Sequence, residues 1–226
     1  MLSGFYLGTK FTIGACWILA RGNPQWRCDA KKTQKSADSL LATSAKYGFA
    51  QWMSFGTMFM SWSRVQKGGG EMEIEKLRQG VIDWHSYGNE LGFPAFRGVL
   101  IDAYRKAGIV EKGLGVVDEA MGKVDPTEER MEEARLHWMK GELLLIQSDP
   151  DEQFAEVCFQ QAIEIARRQS AKYKELQATV RLSRLWQAQG RNKEARSLLS
   201  EIYGWFTEGF DTEDMIKAKV LLDELS

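Results

Sequence analysis

The sequence predicts an all-α protein, built as a right-handed solenoid of helix-turn-helix units with a C-terminal capping helix. Two observations predict it. Apolar residues recur at spacings of three, four and seven, which places them on one face of a helix. A small-residue column also returns about every 40 positions, at 73, 113, 155 and 195. No alternating run of β-branched residues competes with this reading.

The repeat is clearest in Gly190-Arg-Asn-Lys-Glu-Ala195-Arg-Ser-Leu-Leu199-Ser-Glu-Ile202. A turn glycine precedes a small residue, and apolar positions follow at +4 and +7. The same arrangement stands at Gly108, Gly113, Val117 and Ala120, and, without a turn glycine, at Ala155, Phe159 and Ala162. A weaker copy runs through Gly68, Glu73, Leu77 and Gly80, and a degenerate first copy lies near Thr33, Ala37 and Leu40. Upstream of each turn is another helix: Leu100 and Tyr104 before Gly108, Gly141 and Leu144 before Ser148, Leu182 and Trp186 before Gly190. The predicted units span roughly 1–47, 48–88, 89–124, 125–170 and 171–204 of one solenoid, with a cap over 205–226. Trp52, Phe55, Phe59 and Trp62 form an aromatic stripe at helical spacing, expected in the core.

Helix starts are marked by proline and acid grammar. Asp125-Pro126-Thr127-Glu128 and Asp149-Pro150-Asp151-Glu152 each place an N-cap Asp before Pro, with carboxylates in the first turn. Asn23-Pro24 and Phe93-Pro94 are weaker versions, so every proline is expected at a helix start. Gly68-Gly69-Gly70 reads as an inter-helix turn. At the C-terminus, Trp205, Phe206 and Phe210 are expected to cover the last unit, and Asp211 or Thr212 to cap a helix through Met215, Ala218, Leu221, Leu222 and Leu225. The N-terminus shows no comparable polar cap, as expected where natural sequence precedes Met1.

Composition narrows the function classes. The 226 residues are 44% hydrophobic and 27% charged, with a net charge of −1, which fits a folded chain and not a nucleic-acid-binding polycation. No apolar run reaches the roughly 18–20 residues of a membrane helix. Phe11 to Ala20 resembles the apolar stretch of a secretory signal, but Arg21 and the lack of a small-residue cleavage site favour a buried first helix. Cys16, Cys28 and Cys158 include no C-x-x-C pair and suit a reducing cytoplasm. Residues 1–67 carry nine Lys/Arg against Asp29 and Asp38, a balance of +7 that leaves −8 for the rest. That asymmetry reads either as a docking end or as a solvated helix face.

No chemistry-bearing pattern emerges. Gly122-Lys123 is followed by Val124 and has no partner glycine at 117, so the phosphate loop is absent. There is no H-E-x-x-H or G-x-S-x-G, and no His or Cys has a second soft ligand at metal spacing. Cys158 is expected as a small buried hydrophobe, and His85 and His137 as surface residues. Neither catalytic nor metal nor cofactor-binding residues are predicted.

The small-residue columns, with an aromatic or leucine before the turn, resemble the tetratricopeptide repeat, at a period longer than that family's usual 34. Two departures stand in the fourth unit: the Gly141-to-Ala155 spacing is two residues long, and Lys140 occupies an apolar position. The stretches Leu77-Arg-Gln-Gly-Val81, Lys140-Gly-Glu-Leu-Leu-Leu145 and Cys158-Phe-Gln-Gln-Ala-Ile-Glu-Ile-Ala-Arg167 are similar to the C-terminal region of bacterial cyclase–ATPase signalling proteins. So is the tail Ile202-Tyr-Gly-Trp-Phe-Thr-Glu-Gly-Phe-Asp-Thr212. In that family an adenylate or guanylate cyclase or a regulatory domain precedes an ATPase module, and the helical array comes last.

The resemblance implies a non-catalytic interaction and regulatory module, its concave groove lined by the first helix of each unit. On that template Asp102 and Arg105, Arg135, Trp138 and Glu142, and Gln177 and Arg184 face the groove. Their mixed charges suit a protein or peptide segment, such as one belonging to linked catalytic domains, better than a nucleic acid or a membrane. The competing readings are nucleotide cyclisation or ATP hydrolysis inherited from a parent protein, and the regulatory domain of a transcriptional activator.

Overall fold

A computed structural model describes residues 30–88, 93–127 and 130–226, and all regular structure among them is helical. The helices are α1 (Ala30–Tyr47), α2 (Ala50–Gln66), α3 (Glu71–Ser86), α4 (Phe93–Lys106), α5 (Val110–Thr127), α6 (Glu133–Leu145), α7 (Glu152–Arg168), α8 (Lys172–Ala188), α9 (Asn192–Tyr203) and α10 (Glu213–Glu224). A single 3-10 turn, Arg130–Glu132, leads into α6. The chain divides into two compact units, Met1–Leu91 and Gly92–Ser226. The expected unit at 1–47 lies mostly outside the described residues, as do Asn23-Pro24, Cys16, Cys28 and the Phe11–Ala20 stretch.

In the first unit α2 packs against both α1 and α3. The face α1 offers is small: Thr33, Ala37, Leu40 and Ser44 are buried at spacings of four, three and four. α2 is buried nearly all round, and its aromatic stripe is core. Phe55 and Phe59 rings lie 4.8 Å apart, and Trp84 of α3 sits 5.2 Å from Phe55 and 5.6 Å from Trp52. Leu77 and Gly80 are buried as the repeat requires. A methyl on Gly80 would stand 3.1 Å from the Ser54 carbonyl oxygen, so the bare backbone is what lets α3 close on α2. Gly68, at φ +94°, makes the intervening turn.

The second unit repeats one hairpin three times and closes on a helix. α4–α5, α6–α7 and α8–α9 are the hairpins, and α10 lies against α8 and α9. The small column and its +4 and +7 partners are buried in each: Gly113, Val117 and Ala120; Ala155, Phe159 and Ala162; Ala195, Leu199 and Ile202. α4, α6, α8 and α10 each touch the next in that row. Among the described residues α5, α7 and α9 make no such contact with one another. One apolar core runs from Ile101 through α5, α6 and α7 to Leu182 and Leu185 of α8, and a second joins α8, α9 and α10.

Four expectations need correction. α5 continues through Asp125 and Pro126 to Thr127, so that proline lies in a last helical turn and not at a helix start. There it removes the amide that would otherwise donate to the Gly122 carbonyl, a loss confined to the end of the helix. At Asp149-Pro150 the start moves two residues on: Asp151 is the N-cap, its carboxylate accepting from the Phe154 amide at 2.9 Å. The cap helix buries Met215, Ala218, Leu221 and Leu225 as expected. Of the three aromatics before it, only Phe206 packs on that core, while Trp205 (59%) and Phe210 (46%) are exposed. Thr212 occupies the N-cap position, but its hydroxyl donates to the Gly209 carbonyl and caps no amide.

Candidate interaction face

The first-row helices of the second unit share a polar stripe. On α6 it is Arg135, Trp138 and Glu142, spaced three and four, and on α8 Lys174, Gln177 and Arg181 with the same spacing. α4 contributes Gly98, Asp102 and Arg105. Residues so spaced lie one above another on a helix, so parallel helices bring their stripes side by side.

Glu142 is the centre of the ladder. Its carboxylate lies 3.3 Å from Arg105 Nε on α4 and 3.0 Å from Arg181 Nε on α8. Arg105 also pairs with Asp102 at 2.7 Å. The Arg181 guanidinium stacks 3.7 Å from the centre of the Trp138 ring, and its Nη1 donates to the Gln177 carbonyl at 2.7 Å. A cation over an indole face is attracted by the ring quadrupole, and stacking shields it from water.

The ladder extends at both ends. Glu132, in the 3-10 turn, pairs with Arg135 at 3.3 Å and Lys174 at 3.1 Å. Lys174 also donates to the Met131 carbonyl. The Arg135 guanidinium fits because residue 98 has no side chain: a methyl there would stand 3.0 Å from Arg135 Nη1. On the other side, Gln177 Nε2 and the Tyr173 hydroxyl both donate to Asp214 of α10, the former at 2.8 Å. Acid and base therefore alternate from α4 to α8, and neutral donors of α8 join the row to Asp214 of α10.

Of the residues the sequence singled out, the fold joins Asp102, Arg105 and Glu142 directly, and Arg181 links Glu142 to Trp138. It sets Arg135 and Gln177 at the ladder's two ends. Arg184 is exposed and stands apart. Pairing Glu142 with Arg181 puts Arg184 level with Leu145, the last residue of α6, so no side chain of α6 lies beyond it. Sequence reasoning missed Arg181, Lys174, Glu132, Asp214 and Gly98. The three-four spacing of Arg135, Trp138 and Glu142, transferred to Gln177, would have found Arg181 and Lys174.

Cys158 and His137 behave as packing groups. Cys158 is buried in the core between α6 and α7, and burial pushes its thiol up. His137 is half-buried and not at the surface as expected; burial holds it below the usual imidazole value, partly offset by Glu133 and helped by Lys140. Lys140 keeps its unexpected place in an apolar column by lying over Phe154 and reaching Asp118 at 2.9 Å. Among the described residues no group of three or more His, Cys, Asp or Glu is placed to hold a metal ion. No helix among them is long and apolar enough to cross a membrane. No protein-family model matches this chain, and no curated protein matches its sequence.

Proposed function

We propose that this chain is a non-catalytic interaction and regulatory module of the tetratricopeptide kind, which holds a polypeptide segment along its first-row helices. The observation that carries the reading is Glu142, one carboxylate on α6 joining Arg105 of α4 to Arg181 of α8. It fixes three successive hairpins on one face, where a partner lying across them would be read. The closer packing of α4, α6, α8 and α10, compared with α5, α7 and α9, supports a curved array with the first row inside. By resemblance, the chain is the C-terminal part of a cytoplasmic signalling protein of the cyclase–ATPase kind, and binding alters the output of the linked catalytic domains.

The test is a selection of random peptides on the purified chain. Affinities are then measured against Arg105→Ala, against Trp138→Phe, and against a control pair on the other row, Lys112→Ala and Lys193→Ala. The expected result is a loss of about tenfold or more for the first-row variants, equivalent to roughly 1.4 kcal/mol, and none for the control. Equal loss in both sets, or cyclisation or hydrolysis of ATP by the purified chain, would overturn the reading.

A further inference from the structure

Two tryptophans of the second unit are each covered by an arginine that a carboxylate holds in place. Over Trp138 it is Arg181, with Glu142 at its Nε. Over Trp186 it is Arg191, its Cζ 4.3 Å from the ring centre. Glu156 there accepts from Arg191 Nη1 at 3.1 Å and from Trp186 Nε1 at 2.8 Å. Trp205, in the loop between α9 and α10, has no arginine over it among the described residues. Lys172 Nζ stands 6.0 Å from its ring centre, at the outer limit of a cation–π contact, and is already paired with Glu175 at 2.8 Å. The tryptophan stays 59% exposed.

The loop holds this ring in place. Trp205 stands edge-on to Phe206, centroids 5.2 Å apart, and Phe206 packs on the core of α8, α9 and α10. Exposed Phe210 lies 5.7 Å from Tyr203, which packs on the same core. The Thr212 amide and hydroxyl both donate to the Gly209 carbonyl and close the turn.

Charge along this segment has one sign: residues 197–216 include five acids and no Lys or Arg. Glu213 is paired with Lys217, and Asp214 accepts from Tyr173 and Gln177. Glu201 has Arg167 at 3.8 Å, an arginine bound more closely to Glu175 at 2.6 Å. Lys219, beside Tyr203, is taken by Asp223 at 2.6 Å. Glu208 and Asp211 are exposed and have no ion-pair partner among the described residues. Glu208 is three residues from Trp205, so at most about 11 Å of chain separates them.

We propose that the α9–α10 loop docks a basic polypeptide segment, an arginine of which stacks on Trp205 with its charge answered by Glu208 and Asp211. The contact repeats what the chain makes internally at Trp138 and Trp186, with the arginine supplied from outside. A planar guanidinium stacks and donates hydrogen bonds at once, which an ammonium does not, so arginine is favoured over lysine. Phe210 adds exposed apolar surface to the same loop for the partner's side-chain stems. Nucleic-acid phosphates and anionic lipid headgroups are both repelled by a loop with acids and no base.

The test uses the full chain at fixed ionic strength and labelled peptides of about ten residues, long enough to cross the loop. One alternates arginine with Gly and Ser, the second has lysine in place of arginine, and the third has glutamate. The arginine peptide should bind several-fold tighter than the lysine peptide and weaken as salt rises, and the glutamate peptide should not bind. Trp205→Leu should lose about tenfold, as should Glu208→Lys with Asp211→Lys. Thr207→Glu, which adds an acid at an exposed loop position, should gain a few fold, a change that misfolding cannot produce. Glu111→Lys with Glu164→Lys, an equal change of charge at exposed positions of α5 and α7, should bind like the parent. Equal affinity for the arginine and lysine peptides would overturn the proposal. So would unchanged affinity in Trp205→Leu, or an equal loss in the α5 and α7 control. None of the varied residues belongs to the ladder, so the outcome is independent of the first-row face.

Discussion

The Arg181 guanidinium lies over Trp138, its Cζ 3.7 Å from the ring centre, while its Nε stands 3.0 Å from the carboxylate of Glu142, one turn along the same helix as the tryptophan. One side chain on α8 thereby answers two residues of α6, one by its face and one by its edge. Both Arg181 and Glu142 side chains are about a fifth exposed, so solvent screens part of the attraction.

Removing the arginine leaves Glu142 with one cation and uncovers the indole. Arg181→Ala should cost about 2 kcal/mol, between the value of an exposed pair and that of a fully buried one. Arg181→Lys keeps the charge but loses the planar stack, and should cost about 1 kcal/mol. Urea unfolding of both, with a double-mutant cycle through Trp138→Phe, checks this. A coupling energy near zero would show that the stack contributes nothing.

Gly141 of α6 makes room for a ring of α7. A methyl at this position would stand 2.6 Å from Cε1 of Phe159, itself buried in the core. Gly141→Ala should therefore destabilise by about 2 kcal/mol, although alanine is the better helix former. Phe159→Leu in the same chain should recover part of that loss. Thermal melts of the two single variants and the double one decide it, and simple additivity would remove the steric explanation.

Ser170, between α7 and α8, has φ +54°, the one non-glycine residue with positive φ among the described residues. The corresponding positions after α4 and α8 are Gly108 and Gly190, at +70° and +77°. A side chain in that region costs about 1 kcal/mol, offset in part by the extra freedom glycine has when unfolded. Ser170→Gly should accordingly raise stability by about 0.5 kcal/mol, and Gly190→Ala should lower it by about 1 kcal/mol. Denaturant midpoints measured side by side test both signs.

His137 makes folding pH-dependent. Its folded pKa lies below the unfolded value of 6.5, chiefly through burial, so the native state binds fewer protons than the unfolded one between those values. Stability from this residue is complete above pH 6.5 and is lost as pH falls below it, until the folded pKa is passed. His137→Gln should flatten that part of the curve. Glu73 acts in the same direction at lower pH: burial opposes ionisation, but Lys76, Arg64 and Ser61 outweigh it and hold the carboxyl below its usual value. Its contribution is complete above pH 4.5 and is lost as pH falls through the lower, folded value. Denaturant curves collected across about pH 2 to 8 should show two separate declines, of which only the upper one disappears in the histidine variant.

The sequence by itself determined the helical class, the hairpin as the repeating piece and the residues that fill each core. Gly113, Ala155 and Ala195, with their +4 and +7 partners, could be read from spacing alone because burial on a helix is periodic and each small residue marks a close approach. The turn glycines were legible for a similar local reason, since a left-handed residue is cheap only without a side chain. What lay beyond local reading is what needs another helix to define it. Asp151 in place of Asp149 at the start of α7, and the continuation of α5 past Pro126, are choices of one turn that local signals left nearly balanced. Arg181 in place of Arg184 depends on where α6 ends, which no residue of α8 can specify. The ladder through Glu142 likewise exists only because three hairpins stack in register, bringing charges 37 and 39 positions apart to within 3.3 Å.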